Sequence, residues 1–200
     1  MNREVIVIDD NMDSKDPFVR VLQKTYPEYA IKLFNDANSG VQYIFDNLTK
    51  RIIVFLDCRF DAGIQGIEAL NIIRQKTSLV YIVMMSANNL LQQSEAHLSE
   101  MINHHGIYYI TNTDTDKAIA LIKEINELMD CKLDCALEEW MEIQKNQNSN
   151  NENYLNIGSQ SFSIDELLKE IRTKSEVGRK FEKDLIQLTI YLLLKKTVSI

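Results

Sequence analysis

The sequence predicts an α/β fold built on a doubly wound, five-stranded parallel sheet, and three observations carry that prediction. Short apolar runs alternate with stretches of helical period from Arg3 to about Met129, the rhythm of right-handed strand–helix–strand crossovers. The run Ile52-Ile53-Val54-Phe55-Leu56 is unbroken and rich in β-branched and aromatic residues, as in a strand buried on both faces. It ends abruptly in Asp57, and the first strand, Glu4 to Ile8, ends likewise in Asp9 and Asp10. Open α/β sheets keep their chemistry at the carboxyl ends of their strands, so three carboxylates are expected at one edge.

The elements follow in order. After the first strand, Asn11 to Asp16 forms a polar loop, and Pro17 suits the first turn of a helix reaching about Thr25. Tyr29 to Phe34 reads as the second strand, and Asn35 to Gly40 as turn residues before a helix from Val41 to about Leu48. The third strand ends at Asp57. The loop Cys58 to Gln65 precedes a helix from about Ile67 to Gln75, and Leu79 to Met85 is another continuous apolar run, followed by Ser86. A helix from Leu90 to His104 ends at Gly106 as a C-terminal cap, with His104 and His105 read as structural. Ile107 to Ile110 is the fifth strand, and Asp114 or Asp116 caps the helix after it. A sheet of this kind most often takes the flavodoxin-like strand order 2-1-3-4-5.

Apolar residues continue past this domain through Leu133, Leu137, Trp140 and Ile143, so the last helix is expected to extend from Lys117 to about Lys145. The domain itself is assigned to residues 1–130 and the helical extension to 131–145. A second copy of the chain, the C-terminal segment or another protein is needed to cover that extension, and a homodimer is the favoured reading. Residues 146–160 are rich in Asn and read as a linker. Residues 161–200 read as a helical hairpin, opened by the capping box Ser163-Ile-Asp-Glu166 and a second box, Thr173 to Glu176. Such a hairpin is too small to be stable alone. Its basic residues Arg172, Lys174, Arg179, Lys180 and Lys183 allow a DNA contact, but interleaved acids favour a solvated face.

A net charge of −7 argues against a surface built wholly for nucleic acid. The three cysteines Cys58, Cys131 and Cys135 make no even disulfide framework, so a reducing cytoplasm is the expected compartment. Cys131 and Cys135, one helical turn apart, are read as apolar filler, with a thiol or metal site as the alternative. No signal-peptide pattern opens the chain, and no apolar run approaches the roughly 20 residues that span a bilayer.

Three acidic groups at one edge repel one another unless a cation or shared protons offset their charge. Oxygen-rich clusters suit a hard divalent ion, Mg2+ above all. With Val-Ile-Val-Ile-Asp9-Asp10-Asn, Ile-Ile-Val-Phe-Leu-Asp57, Val-Met-Met-Ser86-Ala87 and Tyr109-Ile-Thr-Asn112 in this order, the chain resembles the receiver domain of two-component response regulators. The resemblance implies that Asp57 accepts a phosphoryl group from a sensor histidine kinase. It implies Mg2+ held by Asp9, Asp10, Asp57 and the backbone carbonyl of Arg59, with Ser86 bonding the phosphoryl oxygen and Tyr109 reporting that contact. It also implies a signalling protein that catalyses only its own phosphorylation and is no enzyme in the usual sense.

Two departures stand out. The family's lysine near the end of the fifth strand, followed by proline, is here Asn112-Thr113, and the proline of the loop after the acceptor is Asp61, with Gly66 one residue late. Asn112 donates a neutral hydrogen bond where a charge-assisted one is about twice as strong; Arg59 and Lys117 read as solvated charges, with replacement of the lost cation as the alternative. The departures define an alternative, a pseudo-receiver that acts as a protein-interaction scaffold without phosphorylation. A phosphohydrolase is disfavoured, because the second acid it needs two residues after the nucleophile is Arg59.

Overall fold

The computed structural model describes residues 3–77, 79–87, 99, 101, 106–111, 114–130, 132–138, 140, 154–157 and 160–196. It divides into two compact units, Met1–Cys131 and Lys132–Ile200.

In the first unit, β1 (Arg3–Ile8), β2 (Ala30–Phe34), β3 (Arg51–Asp57), β4 (Tyr81–Ser86) and β5 (Ile107–Thr111) form one sheet in the order β2-β1-β3-β4-β5. Every pairing in it is parallel, so the fold is the flavodoxin-like one that the alternation predicts. Burial sorts the strands by position. β3 is buried from Arg51 to Leu56 and β4 throughout, whereas the edge strands β2 and β5 stay partly exposed.

The helices begin where the sequence supplies a cap. Asp16 accepts the amide of Phe18 at 2.8 Å, and Pro17 opens α1 (Pro17–Thr25). The second helix, α2 (Ala37–Asp46), starts four residues before the expected Val41, because Asp36 caps it by accepting the amide of Ser39 at 2.8 Å. Asn38 to Gly40, read as turn residues, therefore form its first turn. Gly40 is needed there for space, since a Cβ would meet Ile8 Cδ1 at 2.5 Å. α3 (Gly66–Lys76) opens with a reciprocal capping box between Gln65 and Glu68.

Of the helix expected over Leu90 to His104, only Ser99 and Met101 are described, both helical, with Met101 buried in the main core. His104 and His105 lie outside the described residues. Gly106 takes φ +69°, the left-handed conformation a cap glycine supplies. α4 (Thr115–Asp130) is capped by Asp114, which accepts the amide of Lys117 at 3.1 Å.

The helix expected to continue to about Lys145 ends at Asp130; Lys132 sits in a bend and helical residues resume at 133–138. The last residue of α4 is tied to the sheet. Asp130 accepts from Arg3 Nη2 at 2.9 Å and from Arg51 Nη1 at 2.7 Å, so its carboxylate is pinned to the amino ends of β1 and β3.

The second unit holds the helical residues 133–138, the antiparallel pair β6 (Tyr154–Ile157) and β7 (Gln160–Ser163), α5 (Ile164–Arg172) and α6 (Glu176–Lys196). The two strands correct the linker reading for residues 154–157 and 160. Of the candidates to cover the 131–145 extension, the C-terminal segment is the one in contact with its described residues. Leu137 packs on Ile164 and Leu168, and Arg172 donates to Asp134 at 2.9 Å and to Glu138 at 3.0 Å, so the C-terminal segment, not a second copy, covers this part of it.

Cys135 is buried, its Sγ donating to Asp134 Oδ2 at 3.8 Å, while Cys131 lies outside the described residues. Ser163 and Glu166 form the expected capping box. The second box does not form, because the Thr173 hydroxyl donates back to the Lys169 carbonyl at 2.8 Å and Ser175 Oγ accepts the Gly178 amide at 3.0 Å instead. Gly178 is required for close packing: a Cβ there would run into the Glu170 carbonyl. Arg172, one of the basic residues offered for DNA, is buried in its ion pairs.

Candidate functional site: an acidic cluster at the carboxyl edge of the sheet

The parallel registers set the site. β1 pairs Ile8 with Leu56 of β3, so Asp9 and Asp57 each follow the paired segment on neighbouring strands. The carboxylates of Asp9, Asp10 and Asp57 offer ligand oxygens that all lie within 4.8 Å of one another. Asp9 is buried, its amide tied to the Phe34 carbonyl at 3.0 Å. Asp10 and Asp57 are partly exposed.

Burial together with the charge of Asp9 pushes the Asp57 carboxyl up to about 7, against the opposing pull of the Cys58 and Arg59 amides. Burial also raises Asp9, partly offset by the amide of Asn11 and joined by the charge of Asp10. Such groups share protons or a cation; three ionised carboxylates alone are unfavourable.

Asn11 and Gln65, given no role by the sequence, shape the rim together with Asp61 and Gly66 of the departing loop. The Asn11 amide donates to Asp9 Oδ1 and its side chain to Asp10 Oδ1, both at 2.8 Å. The Asp61 amide donates to Asp10 Oδ2 at 2.6 Å, which joins the loop after β3 directly to the cluster. Gln65 closes that loop on itself: its side chain accepts the Phe60 amide at 3.1 Å and donates to the Phe60 carbonyl at 3.0 Å. The signal in the sequence was Gln65 with Glu68 three residues on, a capping-box spacing led by Gln rather than Ser or Thr. Gly66 stands hard against the Asp57 backbone, where a Cβ would run into its carbonyl oxygen.

Asp9, Asp10 and Asp57 are thus brought together as expected. Ser86, the buried last residue of β4, lies one step beyond Met85, the partner of Asp57, and pairs with Thr111 of β5. Tyr109 pairs with Met84 and packs, half-buried, against the main core. Arg59 is exposed in the loop immediately after Asp57, and Lys117 is exposed in the first turn of α4. Asn112 and Thr113 lie outside the described residues.

A five-stranded parallel sheet of order 2-1-3-4-5 with three carboxylates at its carboxyl edge defines an architecture, the receiver fold. Solved structures share it. A two-component response regulator of the LuxR family from Aurantimonas sp. SI85-9A1 is 22% identical with a TM-score of 0.51, covering 62% of this chain and 85% of that one. The receiver domain of NtrX from Brucella abortus is 21% identical with a TM-score of 0.50, over 62% of this chain and 98% of that one. The N-terminal domain of an uncharacterised protein from Wolinella succinogenes reaches a TM-score of 0.52 at 12% identity, over 62% and 94%. At these identities the likeness is one of fold. No protein-family model and no curated protein matches the chain.

The donor set fits a hard divalent cation: three carboxylates, no sulfur or imidazole, and two carboxyls raised by crowding and burial. No helix among the described residues is long and apolar enough to cross a membrane.

Proposed function

We propose that this chain is a two-component response regulator in which Asp57 accepts a phosphoryl group from a sensor histidine kinase and the C-terminal helices pass the change on. The observation that carries the reading is the placement of Asp57 with Asp9 and Asp10, ligand oxygens within 4.8 Å, at the carboxyl edge of a receiver-fold sheet. Asp9, Asp10, Asp57 and the Arg59 carbonyl would hold Mg2+, which when bound would neutralise the charge on the incoming phosphoryl group. One Asp57 oxygen attacks phosphorus as the donor's nitrogen–phosphorus bond breaks, which leaves an acylphosphate on the protein and the electron pair on the donor imidazole.

Ser86, at the end of the adjacent strand, bonds the phosphoryl oxygen, and Tyr109, packed half-buried on the next strand, follows that contact. Asn112 stands in the lysine position and adds only a neutral donor, so the coupling of phosphorylation to conformation is weaker than a charge-assisted contact would make it. The protein accepts a phosphoryl group and does not turn over a separate substrate.

The test is phosphate uptake from a small phosphodonor with Mg2+, comparing wild type with Asp57→Asn. Uptake is expected to disappear in the variant; uptake at the wild-type level removes Asp57 as acceptor. The absence of lysine at Asn112 favours a second reading, a phosphorylation-independent interaction scaffold. An unchanged melting temperature on addition of Mg2+ and beryllofluoride, a phosphoryl mimic, decides for it.

A further inference from the structure

One side chain grips the main chain of the loop after β3. Gln65 Oε1 accepts the Phe60 amide at 3.1 Å and Gln65 Nε2 donates to the Phe60 carbonyl at 3.0 Å, so both main-chain groups of Phe60 face one carboxamide. The peptides on either side of Phe60 are trans, and in a planar trans peptide the N–H and the C=O point opposite ways. Each of these peptides therefore presents its other end away from Gln65. For the peptide joining Phe60 to Asp61, that end is the Asp61 amide, which bonds Asp10 Oδ2 at 2.6 Å. For the peptide joining Arg59 to Phe60, it is the Arg59 carbonyl. Both ends leave the chain on the same side, as successive groups do along one side of a strand whose other side is paired. The Arg59 carbonyl is thereby turned toward the side where Asp10 stands.

Gln65 is itself held in place. Its amide donates to Glu68 Oε2 at 2.8 Å, and its neighbour Gly66 stands against the Asp57 backbone, where no Cβ fits. The clamp is thus mounted on a helix start that abuts Asp57. A carboxamide suits the task because it offers one acceptor and one donor, as the Phe60 main chain requires. The proline that the receiver family places where Asp61 stands would fix φ and leave no N–H; here the amide is present and spent on Asp10, and Gln65 supplies the restraint.

We propose that Gln65 is a positioning residue of the acidic site: by gripping both main-chain groups of Phe60 it aims the Arg59 carbonyl and the Asp61 amide at the carboxylates. The inference rests on the Mg2+ reading of that site made under the proposed function, and adds to it a residue that touches neither the ion nor the phosphoryl group.

Gln65→Ser tests it, because serine caps a helix well but is too short to reach Phe60. In the ion-free protein the melting temperature is expected to stay at the wild-type value, while the Phe60 amide exchanges with solvent deuterium roughly five- to tenfold faster. Calorimetric titration with Mg2+ alone is expected to show binding about tenfold weaker, the cost of losing the outer partner of a metal ligand. Gln65→Asn, with the same carboxamide on a stem one methylene shorter, is expected to do the same. Phosphate uptake from a small phosphodonor then needs about tenfold more Mg2+ for its half-maximal rate, and reaches the wild-type rate at saturation. Wild-type Mg2+ affinity in both variants overturns the inference. So does a lower melting temperature of the ion-free serine variant, which makes Gln65 structural. A wild type that binds no Mg2+ overturns the inference and the metal reading together. The expected change in Mg2+ affinity without phosphate uptake by wild type removes Asp57 as acceptor and supports the role of Gln65.

Discussion

The two ends of β1 and β3 treat charge in opposite ways. At the amino ends, Arg3 and Arg51 converge on Asp130, and Glu4 takes Lys50 at 2.8 Å and the Tyr43 hydroxyl at 2.9 Å. Each buried charge there has a counter-charge; the Arg51 side chain is only 2% exposed and meets a carboxylate at 2.7 Å. At the carboxyl ends the same strands deliver Asp9, Asp10 and Asp57 into one another's field, and the Asp57 carboxyl rises to about 7. One edge is balanced and holds the fold together. The other gathers like charges, which is how a site is told from a staple.

Substitutions at the two edges should then shift stability in opposite directions. The largest effect is expected from Asp130→Asn, which removes the carboxylate that accepts from both Arg3 and Arg51; with Asp130 half exposed the cost is about 2 kcal/mol, read as a lower urea midpoint. At the other edge Asp57→Asn is expected to stabilise the ion-free protein by roughly 1–2 kcal/mol. That is less than the full 1.36 kcal/mol per pKa unit, because solvent screens a partly exposed group. A loss of stability on that substitution breaks the contrast.

The pH dependence shares its origin. The folded-state value of Asp57 lies above the ordinary carboxylate value of 3.8, so the folded chain binds the extra proton between the two. The stability contributed by that proton is fully present below about 4 and is lost as pH rises through about 7, in the absence of divalent ions. Asp57→Asn should flatten that slope in denaturation curves recorded across the window. The smallest effect is expected from Glu4→Gln, where Lys50 is partly exposed and the pair is screened, under about 1 kcal/mol.

Much of the first unit was legible because its signals are strong and local. The β3 run can be little but a buried strand, and each strand-terminal acid follows from where that run stops. The break after Asp130 was not legible, since helical period continues across it through Leu133 and Leu137. The contact at that point, two guanidinium groups from strands far upstream in the sequence meeting Asp130, is one about which periodicity carries no information. The strands at 154–157 and 160–163 were hidden for a different reason: four residues each, next to an Asn-rich stretch, they are too short to show a period. Gln65 was missed because a glutamine seldom leads a capping box, and its hold on Phe60 requires a loop geometry that residue spacing does not encode. The carboxylate cluster was readable as three acids at one edge, while the amides that orient them, from Asn11 and Asp61, were not.

The bond from the Asp61 amide to Asp10 has a consequence beyond geometry. The Asp10 carboxylate belongs to the cluster and also anchors the loop after β3, which Gln65 closes on itself. One side chain thus serves the acids beneath and the rim above, and a change at Asp10 touches both.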